Sequence, residues 1–429
     1  MNEKVQPCHC LKGELTIPGD KSVSHRSVML AGLGETPVRI RNFLAAADCW
    51  STVKCMQALG VTVDQVAADE LIVKGNGLYG LSEPADILDA GNSGTTMRLL
   101  TGILAGQPFF SVLTGDGSLR RRPMARIIAP LAKMGCRIYG RDGARYAPLA
   151  IVPADSIHGI DYVMPVASAQ VKSALLLAGI FADGSSRVTE PYPSRDHTER
   201  MLQAFGVKVR RSGTTVRLDP VQELKAPPVI DVPGDISSAA FWLVAATIIA
   251  GSRLRLNNVG INPTRTGIID VLRRMGANIE ITNERQAGGE PVADLIVESA
   301  GLTGTTIEAE ILPRLIDEVP VLTVAALFAR GRTVISGAEE LRVKESDRLK
   351  AITSELAKMG AVITETADGL IIDGPQTLGS ALCDAHDDHR MAMSLAVAGM
   401  AAAGVEIAAA ECVDISYPGF FAESAQLAL

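Results

Sequence analysis

In the stretch Gly19-Asp20-Lys21-Ser22-Val23-Ser24-His25-Arg26, a glycine and an acid are followed by hydroxyl, ammonium and guanidinium groups. A strand-like run, Leu15-Thr16-Ile17-Pro18, precedes the stretch, and an apolar run suited to a helix follows it. The pattern predicts a strand, a turn and a helix start, where free backbone N–H groups and the positive end of the helix dipole favour an anion. With Lys21 and Arg26 added, the stretch predicts a phosphate site. The alternative, a helix cap beside solvated cations, accounts better for either cation alone than for the cluster.

This junction occurs twice, because Ile17-Pro18-Gly19-Asp20 returns as Val232-Pro233-Gly234-Asp235 before another apolar helical run. A bulky residue, a glycine and a strand also recur together, and such a glycine is typical of the left-handed residue that ends a helix. These marker glycines, each closing an amphipathic helix, are Gly60, Gly135, Gly206, Gly276 and Gly360. More uniformly apolar helices are predicted before the markers and after the last one, at residues 24–33, 94–105, 169–182, 236–250, 318–329 and 389–402.

The repeat predicts an α/β (α+β) fold of six units, each reading helix–strand–helix–strand–strand over about 70 residues. Five units are complete, and the strand near residues 12–17 is expected to complete the truncated sixth. The sequence therefore predicts two domains of three units each, residues 19–233 and residues 1–18 with 234–429. The chain crosses between the domains near residues 18–20 and 232–235, and two crossings close together predict a hinge, with closure over a ligand.

Composition limits the function of the 429 residues. Lys and Arg number 41 and Asp and Glu 48, a net charge of −7, and aromatic residues make up only 4%. These values argue against nucleic-acid and anionic-membrane partners, whereas basic islands in an acidic protein indicate a small anionic ligand. Seven irregularly spaced cysteines predict no disulfide framework, and the apolar run 241–250 is too short to span a bilayer. No apolar leader is present at the N-terminus, so we expect a cytoplasmic protein.

Other helix starts in the first half carry groups suited to anions. The turn Gly91-Asn92-Ser93-Gly94-Thr95 allows close approach of backbone N–H groups. Arg120-Arg121-Arg122 places three cations together, which is best explained if an anion neutralises at least one of them. Ser168-Ala169-Gln170 opens a further helix with hydrogen-bonding side chains.

In the second half of the chain, carboxylates also stand at or near predicted helix starts. Asp317 stands in apolar surroundings at a predicted helix start, where a simple cap is the alternative. The run Leu341-Arg342-Val343-Lys344-Glu345-Ser346-Asp347-Arg348 alternates charge, which a salt-bridged solvent face would also explain. Asp388-His389-Arg390 opens the last apolar helix, and its arginine favours an anion pocket over a metal site.

Together and in this order, these clusters resemble the EPSP synthase family of enolpyruvyltransferases over nearly the whole chain. The resemblance implies a two-domain inside-out α/β barrel with three units per domain. It also implies transfer of the enolpyruvyl group of phosphoenolpyruvate to the 5-hydroxyl of shikimate 3-phosphate, with release of phosphate and no metal or organic cofactor. We expect a monomer with these two small-molecule partners, and no nucleic acid or membrane.

The resemblance also implies roles for particular residues. Those expected to hold shikimate 3-phosphate are Lys21, Ser22, Arg26, Ser168, the backbone of Ala169, Gln170 and Lys344. Those expected around phosphoenolpyruvate are Lys21, Asn92, Gly94, Arg122, Gln170, Arg348 and Arg390. Asp317, at the substrate hydroxyl, and Glu345 match the acid–base pair. The hypothesis is that Asp317 accepts the hydroxyl proton and that Glu345, or Lys21, protonates the phosphoenolpyruvate methylene.

Two positions depart from the family pattern, because Ile415 stands where many members have a lysine and Glu340 replaces an asparagine. The nearest alternative is a UDP-N-acetylglucosamine enolpyruvyltransferase, which would usually have Lys-Asn near its N-terminus and a cysteine close to the arginine cluster. Here Lys21 is followed by Ser22 and the cluster has no adjacent cysteine. A non-catalytic anion-binding protein on the same scaffold would have no reason to retain both Asp317 and Glu345.

Overall fold

The computed structural model describes residues 2–429. The chain divides into two compact units. The N-terminal unit comprises Gly19–Pro233 and Gln286–Glu290, and the C-terminal unit comprises the residues up to Pro18, Gly234–Arg285 and Pro291–Leu429. The predicted division differs at residues 286–290, which it assigns to the other half. The hinge and the functional roles of the two domains stay predictions.

The α-helices found in residues 2–429 are α1 (Lys21–Gly32), α2 (Ala47–Ala58), α3 (Gly94–Leu104), α4 (Ala125–Lys133), α5 (Arg141–Ala144), α6 (Ala169–Gly179), α7 (His197–Ala204), α8 (Ile236–Ile248), α9 (Gly267–Met275), α10 (Val319–Phe328), α11 (Arg348–Lys358), α12 (His389–Ala401) and α13 (Phe420–Leu427). Short 3₁₀ helices cover Leu119–Arg121, Leu312–Arg314, Ile316–Glu318, Glu339–Val343 and Ala410–Ile415.

The β-strands found in residues 2–429 are β1 (Asn2–Val5), β2 (Lys12–Thr16), β3 (Val38–Arg41), β4 (Thr62–Ala67), β5 (Glu70–Lys74), β6 (Leu88–Asp89), β7 (Ser111–Thr114), β8 (Arg137–Gly140), β9 (Tyr146–Val152), β10 (Asp161–Val163), β11 (Ser186–Thr189), β12 (Val209–Ser212), β13 (Thr215–Leu218), β14 (Val229–Asp231), β15 (Arg253–Gly260), β16 (Asn278–Ala287), β17 (Glu290–Glu298), β18 (Thr306–Ile307), β19 (Gly331–Ile335), β20 (Ile363–Glu365), β21 (Leu370–Gly374), β22 (Leu382–Asp384) and β23 (Val405–Ala408).

The strands form small mixed sheets with a common order. Those of the N-terminal unit run β14-β3-β5-β4, β6-β7-β9-β8 and β10-β11-β13-β12, and those of the C-terminal unit run β16-β17-β15-β2, β18-β19-β21-β20 and β1-β23-β22. In the second sheet, for example, β6 is parallel to β7, whereas β9 is antiparallel to both β7 and β8. The predicted repeat is therefore confirmed but incomplete, because it omits the short strands β6, β10, β18 and β22, which pair in parallel across α3, α6, α10 and α12.

The strands before the two Pro-Gly-Asp stretches exchange sheets. β2 leads into α1 but pairs in parallel with β15, which follows α8. β14 leads into α8 but pairs in parallel with β3, which follows α1. The prediction that the strand near residues 12–17 completes the sixth repeat is therefore wrong, and β1 pairs with β23 there instead. The exchange explains why the chain changes unit at both junctions.

Each unit is built with apolar helices inside and sheets outside, which confirms the predicted mixed α/β fold. The predicted apolar helices are confirmed as α1, α3 and α6 in the N-terminal unit and α8, α10 and α12 in the C-terminal unit. In α8 every residue from Ile236 to Thr247 is buried, as expected for a helix that is apolar on all sides. Within residues 2–429, no helix combines the length and apolarity needed to cross a membrane.

The marker glycines end the outer helices as predicted. Each follows α2, α4, α7, α9 or α11, and their φ angles lie between 81° at Gly206 and 102° at Gly276. Any other residue would be strained in this left-handed conformation. The glycine therefore fixes where each amphipathic helix stops and the next strand starts.

Candidate functional site

The central helices begin at the residues that the sequence singled out. Lys21, Gly94 and Ala169 are the first residues of α1, α3 and α6. Side-chain caps accept backbone N–H groups as follows: Asp20 from Val23 (2.9 Å), Ser93 from Thr96 (3.1 Å), Ser168 from Val171 (3.5 Å), Asp235 from Ser237 (2.9 Å) and Asp388 from Arg390 (3.0 Å). These caps fix helix starts whose remaining N–H groups and dipoles favour negative charge.

Around the start of α1, two cations lie in different surroundings. The Lys21 ammonium forms an ion pair with Asp48 from α2, and its side chain keeps 18% of its exposure. Arg26 is buried, and its Nη1 donates to the backbone carbonyl of Ser22 (2.8 Å). The structure thus brings Lys21, Ser22 and Arg26 together over the first turns of one helix.

The Arg26 guanidinium is otherwise held by two hydroxyl groups. Its Nε donates to Oγ1 of Thr198 in α7 (2.7 Å), and its Nη2 donates to Oγ of Ser173 in α6 (2.9 Å). Burial lowers the pKa of Arg26 to about 10, although Glu199, among other acids, acts against the shift from a distance. A buried cation with neutral partners is costly, and it is suited to receive an anion.

A second cluster forms at the start of α3. Asn92 accepts from Nη2 of Arg122 (2.7 Å) and donates to Asp116 (2.7 Å). Gln170 of α6 accepts from Nη1 of Arg98 (2.7 Å), and a Cβ at Gly94 would lie 2.7 Å from that same nitrogen. Four of the predicted phosphoenolpyruvate residues, Asn92, Gly94, Arg122 and Gln170, therefore lie together, and the absence of a side chain at Gly94 leaves space for the Arg98 guanidinium.

Buried hydrogen bonds connect the two clusters. His25 of α1 contacts Thr52 of α2 (Nδ1 to Oγ1, 2.6 Å), Thr52 contacts Thr96 of α3 (2.7 Å), and Thr96 donates to Ser93 (2.8 Å). Burial, with the charges of Lys21 and Arg26, lowers the pKa of His25 well below 6.5. The imidazole is therefore neutral at pH 7 and serves as a hydrogen-bonding link between α1 and α3.

In the C-terminal unit, three carboxylates surround one buried guanidinium. Arg348, the first residue of α11, donates from Nη1 to Asp317 (3.1 Å), from Nη2 to Glu345 (2.7 Å) and from Nε to Asp388 (2.7 Å). Its side chain is 1% exposed. Burial would lower the pKa of Arg348, but the carboxylates of Asp388, Glu345 and Asp317 raise it well above the ordinary value. Asp317 and Glu345, the predicted acid–base pair, thus both accept hydrogen bonds from the guanidinium of Arg348.

Two further predicted cations lie beside Asp317. Lys344 places Nζ 3.9 Å from Asp317 Oδ1 and 3.4 Å from Glu340. Arg390 places Nη2 3.8 Å from Asp317 Oδ2 and Nη1 3.9 Å from Glu318. Asp317 is therefore surrounded by cations, and it does not cap a helix as the alternative interpretation proposed. Glu340, which departs from the family pattern, forms an ion pair with Lys344.

Sequence reasoning missed several partners of these residues. Asp48 gave no signal because its pairing with Lys21 depends on how α2 packs against α1. Asp388 stands within a quoted motif as the cap of α12, and Arg98 follows the quoted turn early in the buried helix α3; these positions were the available signal. Ile415 ends a 3₁₀ helix and packs against the apolar core, so no cation replaces the family's lysine at that position. In residues 2–429, no group of three or more His, Cys, Asp or Glu could hold a metal ion.

Comparisons with known proteins give a consistent result over the whole chain. The family model described as EPSP synthase (3-phosphoshikimate 1-carboxyvinyltransferase) matches residues 5–423. A 3-phosphoshikimate 1-carboxyvinyltransferase of Desulforudis audaxviator is 55% identical over 421 residues, covering 98% of both chains. Another from Gloeobacter violaceus is 53% identical and covers 99% of this chain and 98% of its own.

Solved structures show the same likeness. An EPSP synthase from Acinetobacter baumannii superposes with a TM-score of 0.89 at 44% identity, covering 100% of this chain and 98% of that one. The enolpyruvyl transferase NikO from Streptomyces tendae gives a TM-score of 0.79 at 17% identity, covering 99% and 96%. The second likeness shows a shared fold only.

Proposed function

Since the chain belongs to the EPSP synthase family, we propose that it transfers the enolpyruvyl group of phosphoenolpyruvate to the 5-hydroxyl of shikimate 3-phosphate and releases phosphate. The observation that carries the proposal furthest is the arrangement of Asp317 and Glu345 on the single guanidinium of Arg348. An anion-binding protein without chemistry would gain nothing from two carboxylates beside its cations, because they repel the ligand.

The cationic helix starts support the choice of substrates. Both substrates carry several negative charges and repel each other, so binding them together needs a surplus of positive groups. We assign shikimate 3-phosphate to Lys21, Ser22, Arg26, Ser168, the backbone of Ala169, Gln170, Asp317 and Lys344. We assign phosphoenolpyruvate to Lys21, Asn92, Gly94, Arg122, Gln170, Arg348 and Arg390.

The proposed chemistry moves two protons. Asp317 accepts the proton of the 5-hydroxyl as its oxygen adds to the central carbon of phosphoenolpyruvate, and neighbouring Lys344 and Arg390 favour the ionised carboxylate that this step requires. Glu345 or Lys21 delivers a proton to the methylene carbon. As phosphate leaves, the residue that gave this proton takes one back from the new methyl group, which restores the double bond, and Asp317 passes the hydroxyl proton to the departing phosphate or to solvent. We further propose that the protein acts as a cytoplasmic monomer.

A phosphate-release assay tests the function. Purified protein is given phosphoenolpyruvate with either shikimate 3-phosphate or UDP-N-acetylglucosamine as the acceptor. We expect phosphate release with shikimate 3-phosphate only. Release with the nucleotide sugar alone would transfer the assignment to the related enolpyruvyltransferases, and no release with either acceptor would contradict an enzymatic role.

A further inference from the structure

We propose that Thr198 and Ser173 are positioning residues that orient Arg26 toward an anionic group of shikimate 3-phosphate. The proposal rests on the proposed function and adds two residues to it that no family motif supplied. Both side chains are buried, at 1% exposure, and neither is expected to contact substrate. Their effect on the reaction passes entirely through the guanidinium that they hold.

The geometry fixes the plane of the guanidinium from three sides. Thr198 accepts from Nε at 2.7 Å, Ser173 accepts from Nη2 at 2.9 Å, and the Ser22 carbonyl accepts from Nη1 at 2.8 Å. Thr198 also donates its own hydroxyl to Ser173 at 2.7 Å, which closes a ring of contacts between α1, α6 and α7. One N–H on each Nη nitrogen remains to donate to an anionic oxygen of the substrate, which carries both a carboxylate and a phosphate.

The chemistry of the partners leaves the positive charge available. Among residues 2–429, no carboxylate oxygen lies within 4.0 Å of the Arg26 nitrogens. The neighbouring positions on the same helices behave differently, because Lys172 of α6 lies 2.7 Å from Glu199 of α7 and 2.7 Å from Glu190. In α6 and α7, Glu199 thus neutralises Lys172, whereas the adjacent hydroxyls of Thr198 and Ser173 give Arg26 uncharged acceptors. A carboxylate at either hydroxyl position would compete with the substrate anion.

The variant Thr198→Val tests the proposal, because valine keeps the shape of threonine and removes the acceptor of Nε. Calorimetric titration should show shikimate 3-phosphate binding about 10- to 100-fold more weakly, the range for a hydrogen bond to a charged group. In steady-state assays, KM for shikimate 3-phosphate should rise by a similar factor, while kcat and KM for phosphoenolpyruvate stay within about two-fold of wild type. Thr198→Ser, which restores the hydroxyl, should recover the affinity.

Thr101→Val is the matched control. Thr101 is an equally buried threonine of the same unit, and its hydroxyl donates only to the Met97 carbonyl of its own helix (2.6 Å). This variant should bind shikimate 3-phosphate like the wild type. Ser173→Ala removes the acceptor of the Arg26 Nη2 nitrogen. It tests the same positioning role if Thr198→Val fails to fold.

The outcomes separate the proposal from the function that it rests on. If the wild type releases phosphate and Thr198→Val or Ser173→Ala loses affinity selectively for shikimate 3-phosphate, the positioning role is supported. If the wild type is active but these variants bind within about three-fold of it, or Thr101→Val weakens binding equally, the positioning role is overturned. Inactive wild-type protein that also fails to bind shikimate 3-phosphate would overturn the proposed function itself.

Discussion

Each unit buries one arginine assigned to substrate, and the two arginines have opposite kinds of partner. In the N-terminal unit, Arg26 donates to two hydroxyls and a carbonyl, and burial lowers its pKa to about 10. In the C-terminal unit, Arg348 donates to three carboxylates that raise its pKa despite the same burial. The first arrangement leaves a positive charge for a ligand, whereas the second uses the charge to hold acidic groups together.

Removing the two guanidinium groups should therefore affect stability unequally, and this is the largest effect that we expect. Arg348→Met leaves Asp388, which is fully buried, and two other carboxylates without their common partner. Loss of one partner from a buried ion pair costs about 3–5 kcal/mol of stability. Arg26→Met removes a cation that burial disfavours, and Thr198 and Ser173 still bond to each other. Its cost should be about 1 kcal/mol or less.

Scanning calorimetry of both variants beside the wild type measures this difference. Arg348→Met should lower the unfolding midpoint by several degrees more than Arg26→Met. Equal destabilisation by the two variants would contradict the comparison, because it would mean that both arginines contribute to stability in the same way.

The carboxylates around Arg348 should matter for turnover. Asp317→Ala removes the proposed base and should lower kcat by about 10²-fold or more, the usual contribution of a positioned proton acceptor. The measurement is phosphate release at saturating concentrations of both substrates. Asp373→Ala is the control, since Asp373 is an exposed acid of the same unit that pairs with Arg332. Turnover near the wild-type value in Asp317→Ala would remove Asp317 from this role.

The smallest expected effect is the pH dependence of stability that His25 adds in the N-terminal unit. His25 lies between Lys21 and Arg26, and burial with these charges lowers its pKa well below 6.5. The unfolded chain therefore takes up a proton below about pH 6.5 that the folded chain does not, so stability falls as pH decreases through this range. The loss is at most about 1.4 kcal/mol per pH unit.

Thermal midpoints of the wild type and His25→Asn between about pH 5 and 7.5 test this dependence. The asparagine variant should lack this part of the acid sensitivity, so the two curves should converge as the pH falls. His158→Asn, at an exposed histidine of the same unit, serves as the control variant. Parallel curves for the wild type and His25→Asn would contradict the assignment.

Much of the fold could be predicted because its signals are local. Uniformly apolar runs gave the buried central helices, and glycines after amphipathic runs gave the ends of the outer helices. Strands of two or three residues, such as β6, are too short to show an alternating pattern and were missed. The pairing of β2 with β15 was mispredicted because two similar junctions exchange their strands, and local sequence does not specify which sheet a strand joins.

The candidate site could be predicted as a set of charged motifs, but not as a network. Resemblance gave Lys21, Asp317 and Arg348, since these stand in characteristic stretches. It did not give Asp48 or Thr198, because an acid in an outer helix and a hydroxyl in another become partners only after the helices pack. The neutral environment of Arg26 is likewise a tertiary property, and residue types near it in sequence do not reveal it.

The contrast between the two arginines implies that the buried Arg26, which has no carboxylate partner in the described part of the chain, binds an anionic group of shikimate 3-phosphate. Titration of shikimate 3-phosphate into Arg26→Met by calorimetry, without phosphoenolpyruvate, tests this claim most directly. We predict binding at least about 100-fold weaker than in the wild type, as expected when charged hydrogen bonds are lost, with the fold retained. Wild-type affinity in this variant would contradict the claim.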